Sequence, residues 1–403
     1  MNREDFILLN SDIIYFDNAA TTLKPYILSQ TISDYYNNYS ANKGRGVYDL
    51  ANKVDNAFEQ TRESVKRFIN AKDKSQISFT NNATDSINKI VLGYFKNKLK
   101  KDDEVLITVS EHASLVLPWF NLAKEIGIKV KYIPLDEEHK VIISNVEKSI
   151  TDKTKVIAIS HITNVVGDIR PIKEIVSLAH RNGIEVLIDG AQSVPHLKID
   201  ISDIDADFLV FSAHKMLGPT GLGIIYQKNL VINPVILGGG MNEAFDLSGN
   251  IIYKDYPILL EAGTPNIADV IGFNASINYL NKIGMKNIEE YENKLRLYLL
   301  NKLKEIDDII IYNENSESGI ITFNIKNIDS SYVSKYLNKY KICIRSGAHC
   351  AKILKEDFKI NNTCRISLYF YNTYSECDKF IEALKMIKNS IWVLLIYLKI
   401  CYN

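Results

Sequence analysis

Three side chains with different chemistry each follow a short run of β-branched and apolar residues: Lys215, Asp189 and His112. Such runs predict strands, and in an open parallel sheet ligands collect beyond the carboxyl ends of the strands. We therefore predict that an amine, a carboxylate and an imidazole meet at one edge of a sheet. Each has an ordinary alternative, because lone residues of these types are commonly a helix cap, a solvated lysine or a satisfied polar histidine. Their shared placement favours a common site.

A fourth feature completes a set of chemical supports. The segment Asn82–Thr84 opens a predicted helix, where backbone N–H groups and a hydroxyl can bind phosphate at the positive end of the helix dipole. Pyridoxal 5′-phosphate needs an amine for its Schiff base, an anion at the pyridinium nitrogen, a group stacked on the ring and donors for the phosphate. Lys215, Asp189, His112 and the helix start supply these four supports in turn.

The elements that must position these residues alternate between short strands and longer helical segments. This alternation predicts an α/β fold with a mostly parallel sheet wrapped by helices. The predicted strands are Gln76–Thr80, Val105–Val109, Val156–Ser160, Glu185–Asp189, Phe208–Ser212 and Leu222–Tyr226. Apolar residues at i, i+3, i+4 and i+7 predict two helical faces. These faces are Ile87, Ile90, Val91 and Tyr94, and Ile172, Ile175, Val176 and Ala179.

The pattern changes after Asn281, where a charged helical segment is followed by separate strands. The change predicts a smaller α+β domain with strands at Ile320–Ile325, Lys341–Arg345 and Cys364–Tyr369. Thr373–Glu376 has the form of a capping box that starts the closing helix. We predict a large domain over 13–280, a small domain over 1–12 and 281–388, and an apolar tail over 389–403, with Ile391–Ile400 docked on the body.

Composition limits the partners and the compartment. The 403 residues are 46% hydrophobic, and 48 lysines and arginines balance 48 aspartates and glutamates. This balance predicts neither a nucleic-acid nor a membrane partner. The five cysteines show no paired CxxC spacing, which argues against a disulfide framework or a metal site and favours a reducing, cytoplasmic compartment. The N-terminal residues do not have the pattern of a signal peptide, and Ile391–Ile400 is too short to span a membrane.

Five motifs carry a resemblance to a known family. They are Phe16–Thr22, Asp189–Ser193, Phe211–Gly221, Glu261–Asn266 and Arg345–Cys350. In this order, and from about Tyr15 to Ile387, the chain resembles the NifS-related class V aminotransferase family, and within it the SUF-type cysteine desulfurases. The resemblance implies a pyridoxal-phosphate-dependent transferase of fold type I that converts L-cysteine to L-alanine and supplies sulfur for iron–sulfur cluster assembly.

The resemblance also implies roles for individual residues. Lys215 would hold the cofactor, Asp189 would pair with the pyridinium nitrogen, and His112 would stack on the ring and shuttle a proton. Further cofactor contacts would come from Gln192, Ala83, Thr84, Ser212, His214, Asn164 and, from the other subunit of a homodimer, Thr264. Arg365 and Asn164 would hold the substrate carboxylate, with Arg345 nearby. A guanidinium suits that role because it binds a carboxylate through two parallel hydrogen bonds.

The resemblance assigns the sulfur step to Cys350, which would attack the substrate sulfur and keep it as a persulfide. A free cysteine has a pKa of about 8.5, so the thiolate needs local help, which Arg345 and His349 are placed in sequence to give. The alternative for Cys350 is a buried structural thiol. Cys343 and Cys364 are better candidates for that structural role.

Several positions depart from the family pattern. Lys43 and Gly44 precede the pair Arg45–Gly46, where members of the family often have a histidine. Asn81 and Ala83 belong to a helix start that differs from the family pattern, and Ala348 replaces a residue that is often histidine. These changes bear on cofactor affinity, turnover rate and acceptor choice. The short Arg345–Cys350 loop favours the SUF-type branch, whose enzymes deliver sulfur to a dedicated SufU- or SufE-like acceptor protein.

Other functions stay open at this level. A selenocysteine lyase shares the chemistry and differs in substrate, and an aminotransferase or epimerase shares the fold but has no need of Cys350. The altered helix start also allows a non-catalytic scaffold for an iron–sulfur assembly partner.

Overall fold

The computed structural model describes residues 3–44 and 46–401, and over 388–401 it describes the backbone alone. Arg45, which follows the departures at Lys43 and Gly44, therefore lies outside the described residues, as does the docking predicted for the side chains of Ile391–Ile400. In the described part of the chain, none of the helices combines the length and apolar character that a membrane crossing requires.

Fifteen strands are present in the described residues, numbered in chain order. They are β1 (Ile14–Tyr15), β2 (Ile77–Thr80), β3 (Glu104–Ile107), β4 (Lys129–Tyr132), β5 (Thr154–Ser160), β6 (Glu185–Asp189), β7 (Phe208–Ser212), β8 (Gly223–Gln227), β9 (Asn242–Phe245), β10 (Ile251–Tyr253), β11 (Ile309–Ile311), β12 (Ile320–Ile325), β13 (Ile342–Cys343), β14 (Arg345–Gly347) and β15 (Thr363–Ser367).

Thirteen α-helices cover a little under half of the described residues that lie outside strands. They are α1 (Tyr26–Asn38), α2 (Asp49–Phe68), α3 (Ala83–Ile90), α4 (Lys96–Lys98), α5 (Ala113–Ile126), α6 (Ile143–Ser149), α7 (Ile172–Arg181), α8 (Ile201–Ile204), α9 (Ile267–Ile283), α10 (Met285–Lys304), α11 (Ser330–Asn338), α12 (Lys352–Phe358) and α13 (Tyr374–Cys401). Tight 3₁₀ turns occur at Arg3–Asp5, Ile7–Asn10, Lys74–Gln76, Ala213–Lys215 and Ile258–Leu260, and a π turn at Val91–Phe95 joins α3 to α4.

The largest sheet has seven strands in the order β2-β8-β7-β6-β5-β3-β4. The four pairings from β7 to β4 are parallel, and the two that involve β8 are antiparallel. This sheet confirms the predicted α/β class with a mostly parallel sheet wrapped by helices. In its register Asp189 pairs with Ser160 on one side and Val210 on the other, so the ends of β5 and β6 lie side by side and β7 ends two residues farther on.

The second predicted helical face is confirmed in all four residues and the first in three of four, since Tyr94 is half-buried and lies in the π turn. Ile172, Ile175, Val176 and Ala179 of α7 are all buried, as are Ile87, Ile90 and Val91. Their apolar side chains cover both faces of the large sheet, as parallel strands require. Strand β4 has no counterpart in the predictions because its Lys-Val-Lys-Tyr sequence is half charged and mostly exposed at the sheet edge.

A second sheet has four antiparallel strands in the order β11-β12-β15-β14. Helices α10, α11 and α13 pack near it around a separate apolar cluster that includes Leu299, Phe323 and Phe380. The predicted capping box is confirmed, since Thr373 N–H donates to Glu376 (2.9 Å) and Glu376 N–H donates to the Thr373 hydroxyl (3.2 Å).

The N-terminal segment contacts both parts of the molecule. Strand β1 pairs in parallel with β13, and Ile14 belongs to the cluster around the second sheet. Phe6 and Leu9 instead belong to the cluster of the large sheet. The division into 13–280 and 1–12 plus 281–388 stays a prediction.

Candidate active site

A cavity of about 550 Å³ opens beyond the carboxyl ends of β6 and β7. Its lining combines residues from distant parts of the chain, including nearly all of the predicted site. The predicted residues in its wall are Ala83, Thr84, His112, Asn164, Asp189, Gln192, Ser212, His214, Lys215, Arg345, Cys350 and Arg365. The structure therefore gathers twelve of the thirteen predicted site residues around one cavity.

Thr264 is the predicted residue that this cavity does not include. It is exposed and lines a different, smaller pocket with residues of the Glu261–Asn266 motif. A bidentate ion pair attaches the loop that contains this motif to α2, since Arg62 donates to the two carboxylate oxygens of Glu261 at 2.7 and 2.9 Å.

Lys215 and Asp189 lie at the base of the cavity. Asp189 ends β6 and accepts a hydrogen bond from Ala191 N–H (2.9 Å), and Lys215 ends the 3₁₀ turn that follows β7. Burial raises the pKa of Asp189. Burial lowers the pKa of Lys215 to about 8, against the opposing attraction of Asp189. An amine with this pKa is partly unprotonated near neutral pH, as a Schiff-base lysine requires.

His112 is the N-cap residue of α5, and this position fixes its tautomer. Its Nδ1 accepts a hydrogen bond from Ser114 N–H (3.1 Å), so the proton of the neutral ring is on Nε2. Burial, together with the positive charge of Lys215, lowers the pKa of His112 to about 4. At neutral pH the ring is therefore an uncharged N–H donor.

Ser114 is a residue that the sequence analysis missed. Its hydroxyl lies 3.0 Å from His112 Nδ1 and 2.6 Å from the Thr84 hydroxyl, so it connects the two predicted cofactor contacts. The signal was its position two residues after His112, where a cap partner is expected at the start of a helix.

The start of α3 meets the end of β7 in the cavity wall. Ala83 N–H donates to the Ser212 hydroxyl (2.8 Å), and Asn82 caps the helix by accepting from Asp85 N–H (2.9 Å). The His214 ring lies beside the Thr21 hydroxyl at 3.2 Å. These N–H and hydroxyl groups at a helix N-terminus form the type of site that binds a phosphate.

The remaining wall contains the predicted carboxylate site. Arg365 of β15 donates to Asp17 (2.9 Å) and to the carbonyl of Asn164 (3.0 Å). Its Nε and the side-chain oxygen of Asn164 have no hydrogen-bond partner among the described residues. A buried guanidinium with a free donor in a cavity wall suits an anionic substrate group. Gln192 donates to the Ala19 carbonyl (2.8 Å) beside them.

Cys350 is the exposed thiol of the cavity, whereas Cys364 is buried and Cys343 half-buried. Burial raises the pKa of the Cys364 and Cys343 thiols, which suits the structural roles expected for them. Cys350 and His349 both have left-handed backbones, with φ of 57° and 51°. The Cys350 carbonyl accepts from Ala113 N–H (2.8 Å), which attaches the thiol loop to the first residue of α5.

His349 does not have the role that its position in the sequence suggested. Its side chain is buried, and burial lowers its pKa to about 3, with Arg365 and Arg345 adding to the effect. The ring is therefore uncharged at neutral pH and provides no positive charge for a thiolate.

A buried polar cluster lies behind the loop between β3 and α5. Glu111 forms an ion pair with Arg170 and accepts from the backbone N–H and hydroxyl of Ser160. Arg170 also donates to Thr108 (2.9 Å). The cluster joins the segment after β3, just before His112 in the chain, to the end of β5. The sequence did not reveal it because its partners are far apart in the chain.

The structure gives local accounts of most departures from the family pattern. Asn81 donates to the Asp85 carboxylate, Lys43 forms an ion pair with Glu59 (3.1 Å), and Gly44 N–H donates to Asp55 (2.9 Å). Ala83 contributes its backbone N–H, which any residue other than proline would provide. Nothing in the structure explains Ala348.

The fold and the cavity are those of a pyridoxal-phosphate-dependent transferase, and comparison with known proteins agrees. The chain belongs to the aminotransferase class-V family, whose model matches residues 14–380. It is 39% identical over 381 residues to a probable cysteine desulfurase of Halalkalibacterium halodurans, covering 94% of each chain. It is 41% identical over 401 residues to a probable cysteine desulfurase of Borreliella burgdorferi, covering 96% of this chain and 95% of the relative.

A solved structure is similar over the same extent. The apo structure of a cysteine desulfurase from Thermococcus onnurineus matches with a TM-score of 0.92 and 34% identity, covering 96% of each chain. The cofactor of this family is pyridoxal 5′-phosphate, and the cavity residues fit it. Lys215 is an amine with a lowered pKa, Asp189 is a buried carboxylate, and the start of α3 presents the phosphate donors.

Proposed function

We propose that this chain is a cysteine desulfurase that transfers the sulfur of L-cysteine to Cys350 and releases L-alanine. The observation that carries the proposal is the placement of one exposed thiol in the same cavity wall as Lys215, Asp189 and Arg365. An aminotransferase needs the last three groups but has no need of the thiol. The similarity to relatives named as cysteine desulfurases supports the same choice.

Each residue has a defined task in this proposal. Arg365 holds the substrate carboxylate through its donor that lacks a partner, whereas the free group of Asn164 is an oxygen, which accepts hydrogen bonds and cannot bind a carboxylate. Bound pyridoxal phosphate supplies an electron-withdrawing ring, which makes the substrate Cα proton acidic. The Lys215 amine accepts that proton, and its lowered pKa keeps part of it unprotonated for this purpose. His112, whose uncharged ring carries its proton on Nε2, would stack on the cofactor ring and shuttle a proton.

The sulfur step involves Cys350 alone among the described cysteines. Its thiolate attacks the substrate sulfur, so that the substrate C–S bond breaks and an S–S bond forms on the protein. The electron pair of the broken bond stays with the substrate carbon, which takes up a proton and leaves as alanine. One cysteine and one thiol thus give one alanine and one persulfide, with no external oxidant.

We infer that the active form is a homodimer in which Thr264 reaches the cavity of the second subunit. The β9–β10 hairpin supports this inference, because Phe245, Leu247 and Ile252 are 75%, 109% and 63% exposed in the single chain. Apolar side chains exposed together in this way mark association surfaces. Within the Glu261–Asn266 motif, Gly263, Thr264 and Asn266 are exposed, and Gly263 N–H is bonded to the Gly239 carbonyl in the loop that precedes the hairpin.

The finer assignments extend this proposal. The short loop from Arg345 to Cys350 supports a SUF-type enzyme in the cytoplasm that passes sulfur to a SufU- or SufE-like acceptor for iron–sulfur cluster assembly. The two apolar clusters, around the large sheet and around the second sheet, support a large and a small domain.

The test is incubation of the cofactor-loaded protein with L-cysteine, with alanine and protein-bound persulfide measured together. We expect both products in equal amounts in the first turnover, and neither from Cys350→Ala. Cys343→Ala is the matched control, because Cys343 lies one strand away and is only half-buried. Alanine production that persists in Cys350→Ala would contradict the proposed role of the thiol. Activity on selenocysteine alone would make the chain a selenocysteine lyase, and a protein that takes up no cofactor would favour a scaffold.

A further inference from the structure

The loop that carries Cys350 is held by side chains of the same wall that binds the substrate. The side-chain amide of Asn164 donates to the backbone carbonyl of His349 (2.6 Å), and the backbone carbonyl of Asn164 accepts from Arg365. His349 Nε2 lies 2.9 Å from the Thr363 hydroxyl and 3.1 Å from the Thr363 carbonyl. A chain of contacts therefore runs from the carboxylate site to the residue next to the nucleophile.

The partners of His349 determine its protonation state. A backbone carbonyl only accepts hydrogen bonds, so the contact with Thr363 places a proton on Nε2. Nδ1 is buried and has no hydrogen-bond partner among the described residues, so a second proton there would have no acceptor. The charged groups that face the ring are Arg345, Arg365 and Lys355, all positive, and they oppose a positive imidazole.

The backbone at this point needs support. His349 and Cys350 are two consecutive non-glycine residues whose backbones lie in the left-handed region, which residues with a side chain rarely adopt. Such a conformation persists only where surrounding contacts hold it. The anchors of His349, on Thr363 and Asn164, and that of Cys350, on Ala113, are those contacts.

We propose that His349 is a positioning residue, which acts as an uncharged anchor between the carboxylate-binding wall and the backbone of Cys350, and does not act as an acid or as a positive charge. This inference deepens the proposed desulfurase and rests on it. The anchor fixes where the thiol lies relative to a substrate held by Arg365. Loss of the anchor therefore affects the sulfur step more than the binding of cysteine.

Two variants at one position separate the roles. His349→Gln keeps an N–H near the place of Nε2 and cannot become charged, whereas His349→Ala removes the anchor. We expect kcat to stay within about threefold of native in His349→Gln and to fall on the order of tenfold or more in His349→Ala, with KM for cysteine little changed, because misplacement of about 1 Å can cost a hundredfold in rate. Thr363→Val removes only the hydroxyl partner of His349, so its kcat should lie between those of the two His349 variants.

A second readout does not depend on turnover. The rate at which iodoacetamide alkylates Cys350 is measured against pH by peptide mass spectrometry, in cofactor-loaded protein without cysteine. A positioning role predicts that the midpoint of this profile differs by less than about 0.3 pH units between native, His349→Gln and His349→Ala, because no charge next to the thiol has changed. Cys343 in the same digest is the internal control.

The outcomes distinguish the alternatives. If His349→Gln loses as much activity as His349→Ala and the alkylation midpoint rises in both, His349 acts through its charge and the proposal is wrong. It is equally wrong if His349→Ala has native kcat, or if KM rises while kcat stays constant. If the native chain makes no alanine, the proposed function fails, while the alkylation profiles still test the uncharged state of His349.

Discussion

The guanidinium of Arg365 donates to the carboxylate of Asp17 at 2.9 Å, in the wall of the cavity and beside the carbonyl of Asn164. Asp17 follows the short strand that pairs with β13, whereas Arg365 lies on β15 of the second sheet. The carboxylate fixes the orientation of the guanidinium and leaves Nε without a partner. The predicted substrate-binding charge is thus oriented before any substrate arrives.

Arg365→Lys should raise KM for L-cysteine by about ten- to a hundredfold, because the ammonium group loses the planar fork and a charged hydrogen bond is worth roughly 1.5–3 kcal/mol. Asp17→Asn keeps an acceptor at the same place, so we expect a smaller rise. Steady-state kinetics measure both variants, and the cofactor absorbance of each shows whether the cavity is intact. An unchanged KM in Arg365→Lys would place the substrate carboxylate elsewhere.

The Arg62–Glu261 pair should matter for stability. Both side chains are almost completely buried, and removal of one partner leaves a charge without compensation. We expect Arg62→Met to lower the free energy of unfolding by about 3–5 kcal/mol. The matched control is Arg67→Met on the same helix, since Arg67 is exposed and its pair with Glu63 is worth about 0–1 kcal/mol. Urea unfolding measures the free energy of unfolding of both variants. Equal losses in Arg62→Met and Arg67→Met would contradict the larger contribution of the buried pair.

Stability should fall as the pH is lowered from about 6.5 toward 4, because four histidines have lowered pKa values in the folded chain. They are His112, His161 and His214, with pKa values of about 4, and His349, with a pKa of about 3. The unfolded chain binds protons at these residues near pH 6.5 and the folded chain does not, so acid favours unfolding.

One variant isolates a single histidine from this effect. His349→Gln should reduce the slope of unfolding free energy against pH by up to about 1.4 kcal/mol per pH unit between pH 6 and 4. Denaturant titrations of the cofactor-free protein at several pH values measure it. A slope identical to that of the native chain would mean that His349 is protonated in the folded state.

The β9–β10 hairpin should control association. Phe245→Ser combined with Ile252→Ser removes two exposed apolar side chains from the proposed subunit contact, so we expect the dimer to dissociate at concentrations where the native protein is dimeric. Tyr332→Ser is the control, because Tyr332 is also exposed (44%) but lies on α11. Sedimentation measures the mass. A native chain that is monomeric, or a double variant that stays dimeric, would contradict the proposed surface.

Six of the seven strands of the large sheet could be predicted from the sequence because their apolar runs are continuous, as buried strands require, and the exception is the exposed edge strand β4. Observed and predicted ends agree to within two residues, and β6 and β7 match at both ends. The β9–β10 hairpin could not be predicted in this way. Its residues are mostly exposed in the single chain, so no alternation of buried and exposed positions marks them.

The candidate site divides along similar lines. Lys215, Asp189 and His112 could be predicted because each follows a strand of one sheet. Asn164, Arg365 and the role of Cys350 came from the resemblance, since no local pattern marks them. Ser114 and the Glu111–Arg170 pair were missed because their function depends on partners that only the folded chain brings close. The charge state of His349 was misjudged because burial does not show in a short motif.

The pairing of β1 with β13 determines when the first strand can pair during synthesis of the nascent chain. Ile14 and Tyr15 leave the ribosome more than three hundred residues before Ile342 and Cys343, their partners. At about 5–20 residues per second, this interval is on the order of tens of seconds. During translation the amino-terminal strand therefore stays unpaired while the seven-stranded sheet is completed, and Asp17 meets Arg365 only when synthesis is nearly finished.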